Sequence, residues 1–303
     1  MKINLHTRNH WFDICAEGKP ELDVSESPYS NNYFLFSESV AIPMNEISSN
    51  HKQFHYQAIS SNCIWISMPE PYTHASTGRE EIDWELCKGT NFKPVKPKLI
   101  TFDMDSTLIA EEVIDEIARD AGCYQQVASV TDQAMQGELD FNQSLIKRVS
   151  LIKGLSVHRL DIIAARLNLS EGAESLLNCL HQQNINTAIL SGGFDFFASI
   201  ISAKLGIETV YSNQLEVKNN LLSGEVVAPI VNAEMKAFYL EKIAKEHGCD
   251  LSETMAVGDG ANDLPVLSAS GLGIAWHAKP AVAEQADVAI NYLGLNVISW
   301  LWE

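Results

Sequence analysis

The chain is 303 residues long, enough to bury a full core and to divide into two domains. With 39 Asp plus Glu against 21 Lys plus Arg its formal net charge is −18, which argues against nucleic acid or an anionic membrane as a partner. No apolar run reaches transmembrane length and Met1-Lys2-Ile3-Asn4 is not followed by a signal-peptide core, so a soluble, cytoplasmic protein is expected.

The region before residue 96 carries 12 of the 25 aromatic residues, from Trp11 and Phe12 to Trp84 and Phe92, and is therefore read as packed rather than as a disordered tail. Tyr33 to Ser37 and Cys63 to Ser67 have the composition of strands, which makes residues 1–95 a small α+β domain, with room for a homodimer joined through its aromatics. His6 with His10, and His51 with His55, have metal-compatible spacing if helical, but neither set has a third ligand, and solvated or capping histidines are expected. Six cysteines, at 15, 63, 87, 123, 179 and 249, show no close pairing and are read as reduced thiols. Near Pro94 to Lys98 prolines alternate with lysines, a linker into a second domain over 96–303.

That domain opens with an apolar tract, Leu99-Ile100-Thr101-Phe102, of the kind found in a central parallel strand buried on both faces. It ends in Asp103-Met104-Asp105-Ser106-Thr107. Carboxylates at the end of a buried strand are costly to desolvate, so a cation, or a reaction that uses them, is the expected offset. Asp103 and Asp105 either share one side of an extended strand or are aimed apart by a turn. Read alone, the stretch is equally an Asp-rich turn.

Residues 110–172 follow, too long for a plain connection and helical in pattern. A helix is expected over Ala173 to Gln183, then a strand, Thr187 to Leu190, running into Ser191-Gly192-Gly193 and a helix from Phe194 to Ile201. A hydroxyl and glycine amides at a helix start would form an anion-binding nest. A strand near Thr209 and a hairpin over Leu215 to Val227, turning at Asn219-Asn220 and read as a flap near the site, lead to a helix from Lys236 to His247. Met255-Ala256-Val257 is a third site-bearing strand, ending in Gly258-Asp259-Gly260-Ala261-Asn262-Asp263. Late strands over Leu272 to Ala275 and Val288 to Ile290 precede an apolar terminus, Val297 to Trp302, expected to pack as core. The alternation describes an α/β fold with a doubly wound parallel sheet.

Four motifs in this order resemble those of the haloacid dehalogenase superfamily: the acid pair of Asp103 to Thr107, the strand-end Ser191, Lys236, and the acid motif of Gly258 to Asp263. Within it, the runs DMDSTLIAEEVIDEIA, AILSGGFDFF and VGDGANDLPVL are similar to the phosphoserine phosphatases. Some of those carry ACT-like domains in front, although residues 1–95 show no such signature. The resemblance implies a Mg²⁺-dependent hydrolysis of O-phosphoserine. Asp103 is the implied nucleophile, Asp105 the general acid and base, and Asp103, the Asp105 backbone carbonyl and Asp259 the metal ligands. Ser191, Gly192, Lys236 and Asn262 would hold the phosphoryl group or serine, with Asp263 orienting Lys236 or a metal-bound water. The helical insertion resembles the family's cap, in which Glu112 meets the substrate ammonium and Arg148 its carboxylate, beside an apolar wall of Met135 and Phe141.

Alternatives are a phosphatase for another small ester, a phosphotransferase to an alcohol, a phospho-Asp receiver, which would lack the helical insertion, and a binding module without catalysis. The absence of a GxxxxGK[ST] sequence excludes a P-loop enzyme.

Overall fold

The computed structural model describes residues 95–302 throughout and, ahead of them, the backbone of seven strands. These are β1 (Ile3–Asn4), β2 (Lys19–Pro20), β3 (Asn31–Ser37), β4 (Ala41–Ile42), β5 (His55–Ala58), β6 (Cys63–Met68) and β7 (Trp84–Gly89). The expectations placed on His6, His10, His51, Cys15 and the aromatic side chains before residue 95 lie outside the described residues. Two compact units divide the chain, one of residues 1–96 with 274–303 and the other of residues 97–273.

In the first unit, β2, β5, β6, β3 and β7 form a five-stranded sheet in that order, and β1 pairs with β4. Strands stand where Tyr33 to Ser37 and Cys63 to Ser67 were read as extended, with Phe36 opposite Cys63 in an antiparallel register. His55 is the first residue of β5. The later part of this unit holds a parallel strand pair, with Ile274 opposite Val288. Its terminal turn, Leu295–Leu301, buries Leu295, Val297, Ile298 and Leu301, as the apolar terminus predicts.

The second unit is built on β8 (Leu99–Phe102), β9 (Asn186–Phe194), β10 (Thr209–Lys218), β11 (Leu221–Val227) and β12 (Thr254–Gly258), lying in the order β11-β10-β9-β8-β12. β8 pairs parallel with both β9 and β12, and every residue of β8 and β12 is buried. An unbroken apolar tract is what burial on both faces demands. The chain proceeds from β8 through β9 to β10 on one side, then returns to place β12 on the other. The carboxyl ends of β8, β9 and β12 therefore meet at the reversal, where open α/β sheets collect ligands.

Between β8 and β9 stand α1 (Val113–Asp120), α2 (Tyr124–Met135), α3 (Phe141–Leu151) and α4 (Val157–Ala164), followed by the crossover helix α5 (Ala173–Gln182). α1 buries Val113, Ile114, Ile117 and Ala118, one stripe at helical spacing. α3 starts in a capping box, in which Asp140 accepts from the Gln143 amide at 2.8 Å and Gln143 Oε1 accepts from the Asp140 amide at 3.1 Å. α6 (Asp195–Leu205) follows β9, and α7 (Ala233–Glu246) follows β11, its first turn capped by Asn232, which accepts from the Met235 amide at 3.0 Å.

As expected, the helix begins just beyond Ser191-Gly192-Gly193: β9 stays extended to Phe194 and α6 begins at Asp195, so any anion bound there meets amides between the strand end and the helix start. The hairpin at Asn219-Asn220 forms, with both asparagines at positive φ as its two-residue turn requires, but it is no free flap. Leu222 exchanges backbone hydrogen bonds with the α3–α4 connection, from the Gly154 amide and to the Leu155 carbonyl, each 2.8 Å, and Val157 donates to the Asn220 carbonyl at 3.0 Å. The outer edge of β11 is thus occupied by the helical insertion, which satisfies backbone groups that an edge strand would leave open.

Candidate active site

Asp103 follows the last residue of β8, and its amide still pairs in the sheet, donating to the Val257 carbonyl of β12 at 2.9 Å. Its Oδ1 accepts from the Met104 amide at 2.7 Å, and its Oδ2 lies 2.7 Å from Lys236 Nζ and accepts from Asn262 Nδ2 at 3.4 Å. The carboxylate is 6% exposed, so both oxygens are fixed in a desolvated position.

Beyond it, Met104–Leu108 makes one wide turn that closes through the Ile109 amide on the Met104 carbonyl, with Ser106 at φ 56°. The turn breaks the strand period, so Asp105 is aimed by the turn and by α1 rather than by β8. Its Oδ1 accepts from the Val113 amide at 3.0 Å, at the amino end of α1, and its Oδ2 faces Gly193. Burial pushes the Asp105 carboxyl well above the usual range, and the charges of Glu112 and Asp103 push it the same way. A carboxyl whose affinity for its proton is raised in this way is suited to act as a general acid.

Lys236, on the first turn of α7, is 1% exposed and stands between Asp103 and Asp263, 2.7 Å from each. Burial alone would pull its pKa down, but the two carboxylates reverse this and hold the ammonium above its ordinary range. Asp263 also accepts from the Gly260 amide at 3.0 Å, so its two oxygens are both engaged, one in the loop and one on the lysine. Asp259 accepts from Thr107 Oγ1 at 3.3 Å. Desolvation, then the charges of Asp103 and Asp263, raise the Asp259 carboxyl to about 8.

Asp103, Asp259 and Asp263 each offer an oxygen within 4.8 Å of the others. An all-oxygen set of carboxylates suits a hard divalent cation better than a soft one, and the mutual repulsion that lifts Asp259 is what such a cation would relieve. Asp105, expected to contribute through its backbone, lies on the turn beside this group. Asp263 joins the cluster, although its engaged oxygens tie it first to Lys236.

Ser191 is wholly buried at the end of β9, and its Oγ accepts from the Gly193 amide at 2.8 Å. Its own O–H is thereby left to donate. Phe141, at the start of α3, closes over Gly192 so tightly that a β-carbon there would lie 2.9 Å from Cζ. The insertion thus reaches the same strand end. Arg148 points its Nε into a buried position without a hydrogen-bond partner. Burial lowers its pKa while Glu112, then Asp115 and Asp105, draw it back up. Glu112 accepts from Ser106 Oγ at 2.8 Å. An arginine with a free buried donor near a carboxylate is a pair fit for the two charged ends of an amino acid. Met135, at the end of α2, is 64% exposed.

Sequence reasoning missed Asn213 on β10. It is wholly buried and ties β9 to the segment that precedes α7, through hydrogen bonds to Gly192 and Val231. A lone asparagine in a strand carries no motif by which to find it.

Among described residues no helix is long and apolar enough to cross a membrane, and Cys63, Cys123, Cys179 and Cys249 are in no disulfide. The model of haloacid dehalogenase-like hydrolases matches residues 100–268, more than half of the chain. The phosphoserine phosphatase of Methanocaldococcus jannaschii is 44% identical over 203 residues, covering 67% of this chain and 96% of its own length. That of Haemophilus influenzae is 41% identical over 290 residues, 91% of this chain and 90% of its own. A solved structure described as a phospho-aspartyl intermediate analogue of phosphoserine phosphatase is 43% identical, covers 69% of this chain and 100% of its own, and superposes with a TM-score of 0.65. The chain therefore belongs to the haloacid dehalogenase-like hydrolase family.

Proposed function

We propose that this protein is a cytoplasmic, Mg²⁺-dependent phosphoserine phosphatase that converts O-phospho-L-serine to L-serine and phosphate, the closing step of serine biosynthesis. What supports the reading is the Lys236 ammonium held 2.7 Å from Asp103 at the meeting point of three strand ends, in a chain 41–44% identical to proteins named for that activity.

Asp103 attacks phosphorus, forming an aspartyl phosphate as the bond to the serine oxygen breaks. Asp105, whose carboxyl burial pushes well above its usual range, gives its proton to that oxygen and afterwards takes one from the water that cleaves the acyl phosphate. Lys236, the Ser191 hydroxyl, the Gly192 amide and Asn262 hold the phosphoryl oxygens, while Asp263 keeps the lysine in place. Asp103, the Asp105 backbone carbonyl and Asp259 are the groups that would hold Mg²⁺, which when bound disperses the phosphoryl charge. With a formal net charge of −18 the chain as a whole repels a dianion, so local cations must override that field.

Glu112 reads the substrate ammonium and Arg148 its carboxylate, with Phe141 as the apolar closure, in an insertion spanning about residues 110–172 that serves as the cap. Residues 1–95 form a further domain suited to dimerisation or regulation. The test is phosphate release from a panel of small phosphate esters with and without Mg²⁺, for the wild type and Asp103→Asn. Preferred, Mg²⁺-dependent release from phosphoserine that is lost in the variant supports the reading. No release from phosphoserine, or full activity in Asp103→Asn, overturns it.

A further inference from the structure

We infer that Asn213 is a positioning residue for phosphoryl transfer, one that aims the Ser191 hydroxyl by locking the peptide between Gly192 and Gly193. The inference rests on the phosphatase reading of the site.

Three contacts define it. Asn213 Nδ2 donates to the Gly192 carbonyl at 2.9 Å and to the Val231 carbonyl at 3.2 Å, and its Oδ1 accepts from the Val231 amide at 2.7 Å. Two carbonyls need a donor and one amide needs an acceptor, so a single orientation of the side-chain amide satisfies all three. The residue is wholly buried, and losing an arm would leave a desolvated carbonyl unpaired.

The Gly192–Gly193 peptide is pinned at both ends. Its carbonyl is held by Asn213 and its N–H by Ser191 Oγ at 2.8 Å. Because Ser191 Oγ already accepts that hydrogen bond, its O–H is directed outward as a donor. If the peptide rotated, Ser191 would lose this acceptor role and Gly192 its place under Phe141. No side chain of the glycines can restrain the turn, since a β-carbon at Gly192 would meet Phe141 at 2.9 Å and one at Gly193 would meet Asp105 at 2.2 Å. The restraint has to come from a neighbouring strand, and Asn213, whose Cα is opposite Phe194 just past a register shift in β10, supplies it.

The other arm of Asn213 reaches the lysine. Val231 precedes Asn232, the cap of α7, and Lys236 lies on that helix's first turn. Asn232 in turn donates to Asn142 Oδ1 of α3 at 3.4 Å. One buried amide therefore sets the distance between the phosphate-facing strand end and the helix that carries the ammonium. Displacements of roughly 1 Å at a reacting centre cost up to ~10²-fold in rate.

The experiment compares the full-length wild type with Asn213→Asp, which keeps the acceptor arm and loses the donor arm, and with Asn213→Ser as a smaller, donor-bearing second variant. Each is assayed on phosphoserine and on an aryl phosphate, with inhibition by inorganic phosphate and the melting temperature measured alongside. The expected result for Asn213→Asp is a fall in kcat of about tenfold or more on both esters, a matching weakening of phosphate inhibition, and an unchanged ratio between the two substrates. Asn213→Ser should retain part of the loss. A lowered melting temperature with unchanged kinetics and phosphate inhibition would make Asn213 structural only, and a loss confined to phosphoserine would place its effect on the cap. Failure of both variants to fold would likewise remove positioning as a separable role. A wild type inert on phosphoserine would instead strike the phosphatase reading itself.

Discussion

Gly193 is pressed against Asp105: a β-carbon built on it would stand 2.2 Å from Asp105 Oδ2 and 2.9 Å from the Met104 methyl. The other oxygen of Asp105 is held by the Val113 amide at 3.0 Å, so the carboxyl cannot retreat without breaking the start of α1. Gly193→Ala should therefore leave a folded protein by circular dichroism but lower kcat for phosphate release by about 10²-fold. Near-normal turnover would mean that Asp105 does not need its present position.

Lys236 offers a second direct test. It lies 2.7 Å from both Asp103 and Asp263, and each of the three side chains is 6% exposed or less. Lys236→Met keeps the volume and removes the charge, leaving two buried carboxylates without their cation. Removing one partner of a buried ion pair costs roughly 3–5 kcal/mol. Urea unfolding of the metal-free variant should show a loss of that order, together with turnover near background. A loss below about 1 kcal/mol would mean that the two ion pairs contribute little net stability.

The pH profile carries the signature of Asp105. Its carboxyl is raised first by burial and then by the charges of Glu112 and Asp103. As general acid it must be protonated, so kcat/KM should fall on the basic side as that proton is lost. Glu112→Gln removes a neighbouring negative charge, which eases ionisation of Asp105 and lowers its pKa. With an aryl phosphate, which lacks the ammonium, the basic limb should move to lower pH in the variant. A limb that stays fixed or moves upward would assign it to another group.

The legible part of this chain was whatever chemistry sits in consecutive residues at strand ends. The apolar tract of β8 announces burial, Asp103 and Asp105 follow it directly, and Asp259 to Asp263 follow β12 in the same way, so fold class and acid motifs could be read together. What was not legible depends on contacts between distant segments. The hairpin turn at Asn219-Asn220 was visible, but the fastening of Leu222 to Gly154 and Leu155 is a backbone pairing with no side-chain signal. Asn213 and the exposed Met135 fall under the same rule, since partner and burial are tertiary properties.

The insertion is held by ion pairs between its first and last helices. Arg159 of α4 grips Asp120 of α1 with two hydrogen bonds, Nε to Oδ2 at 2.6 Å and Nη2 to Oδ1 at 2.7 Å, and Arg166 stands 3.9 Å from the same carboxylate. The Arg159 hydrogen bond holds Asp120 below the usual carboxylate range. A depressed folded pKa stabilises at pH above the unfolded value, about 3.9, and that stability disappears as pH falls through the folded one. Arg159→Ala should thus melt below the wild type at pH 7, and the two melting curves should converge as the pH drops below about 4. A difference that persisted in acid would point to lost packing by the arginine stem instead.

Asp259 couples cation binding to protons. Its carboxyl sits at about 8, lifted by desolvation and by Asp103 and Asp263, so near pH 6 it is protonated before any cation arrives. A carboxylate must lose its proton to ligate, and the apparent affinity then rises with pH until the group is ionised unaided. Thermal-shift titration with Mg²⁺ should show tighter binding at each step from about pH 6 to about pH 8 and a plateau beyond. Asp259→Asn, which cannot ionise, should bind Mg²⁺ more weakly and flatten that rise, while chelation should erase the thermal shift in both proteins. If the wild-type affinity is independent of pH over this range, the ion does not displace a proton from Asp259, and the carboxylate cluster of Asp103, Asp259 and Asp263 is not where it binds.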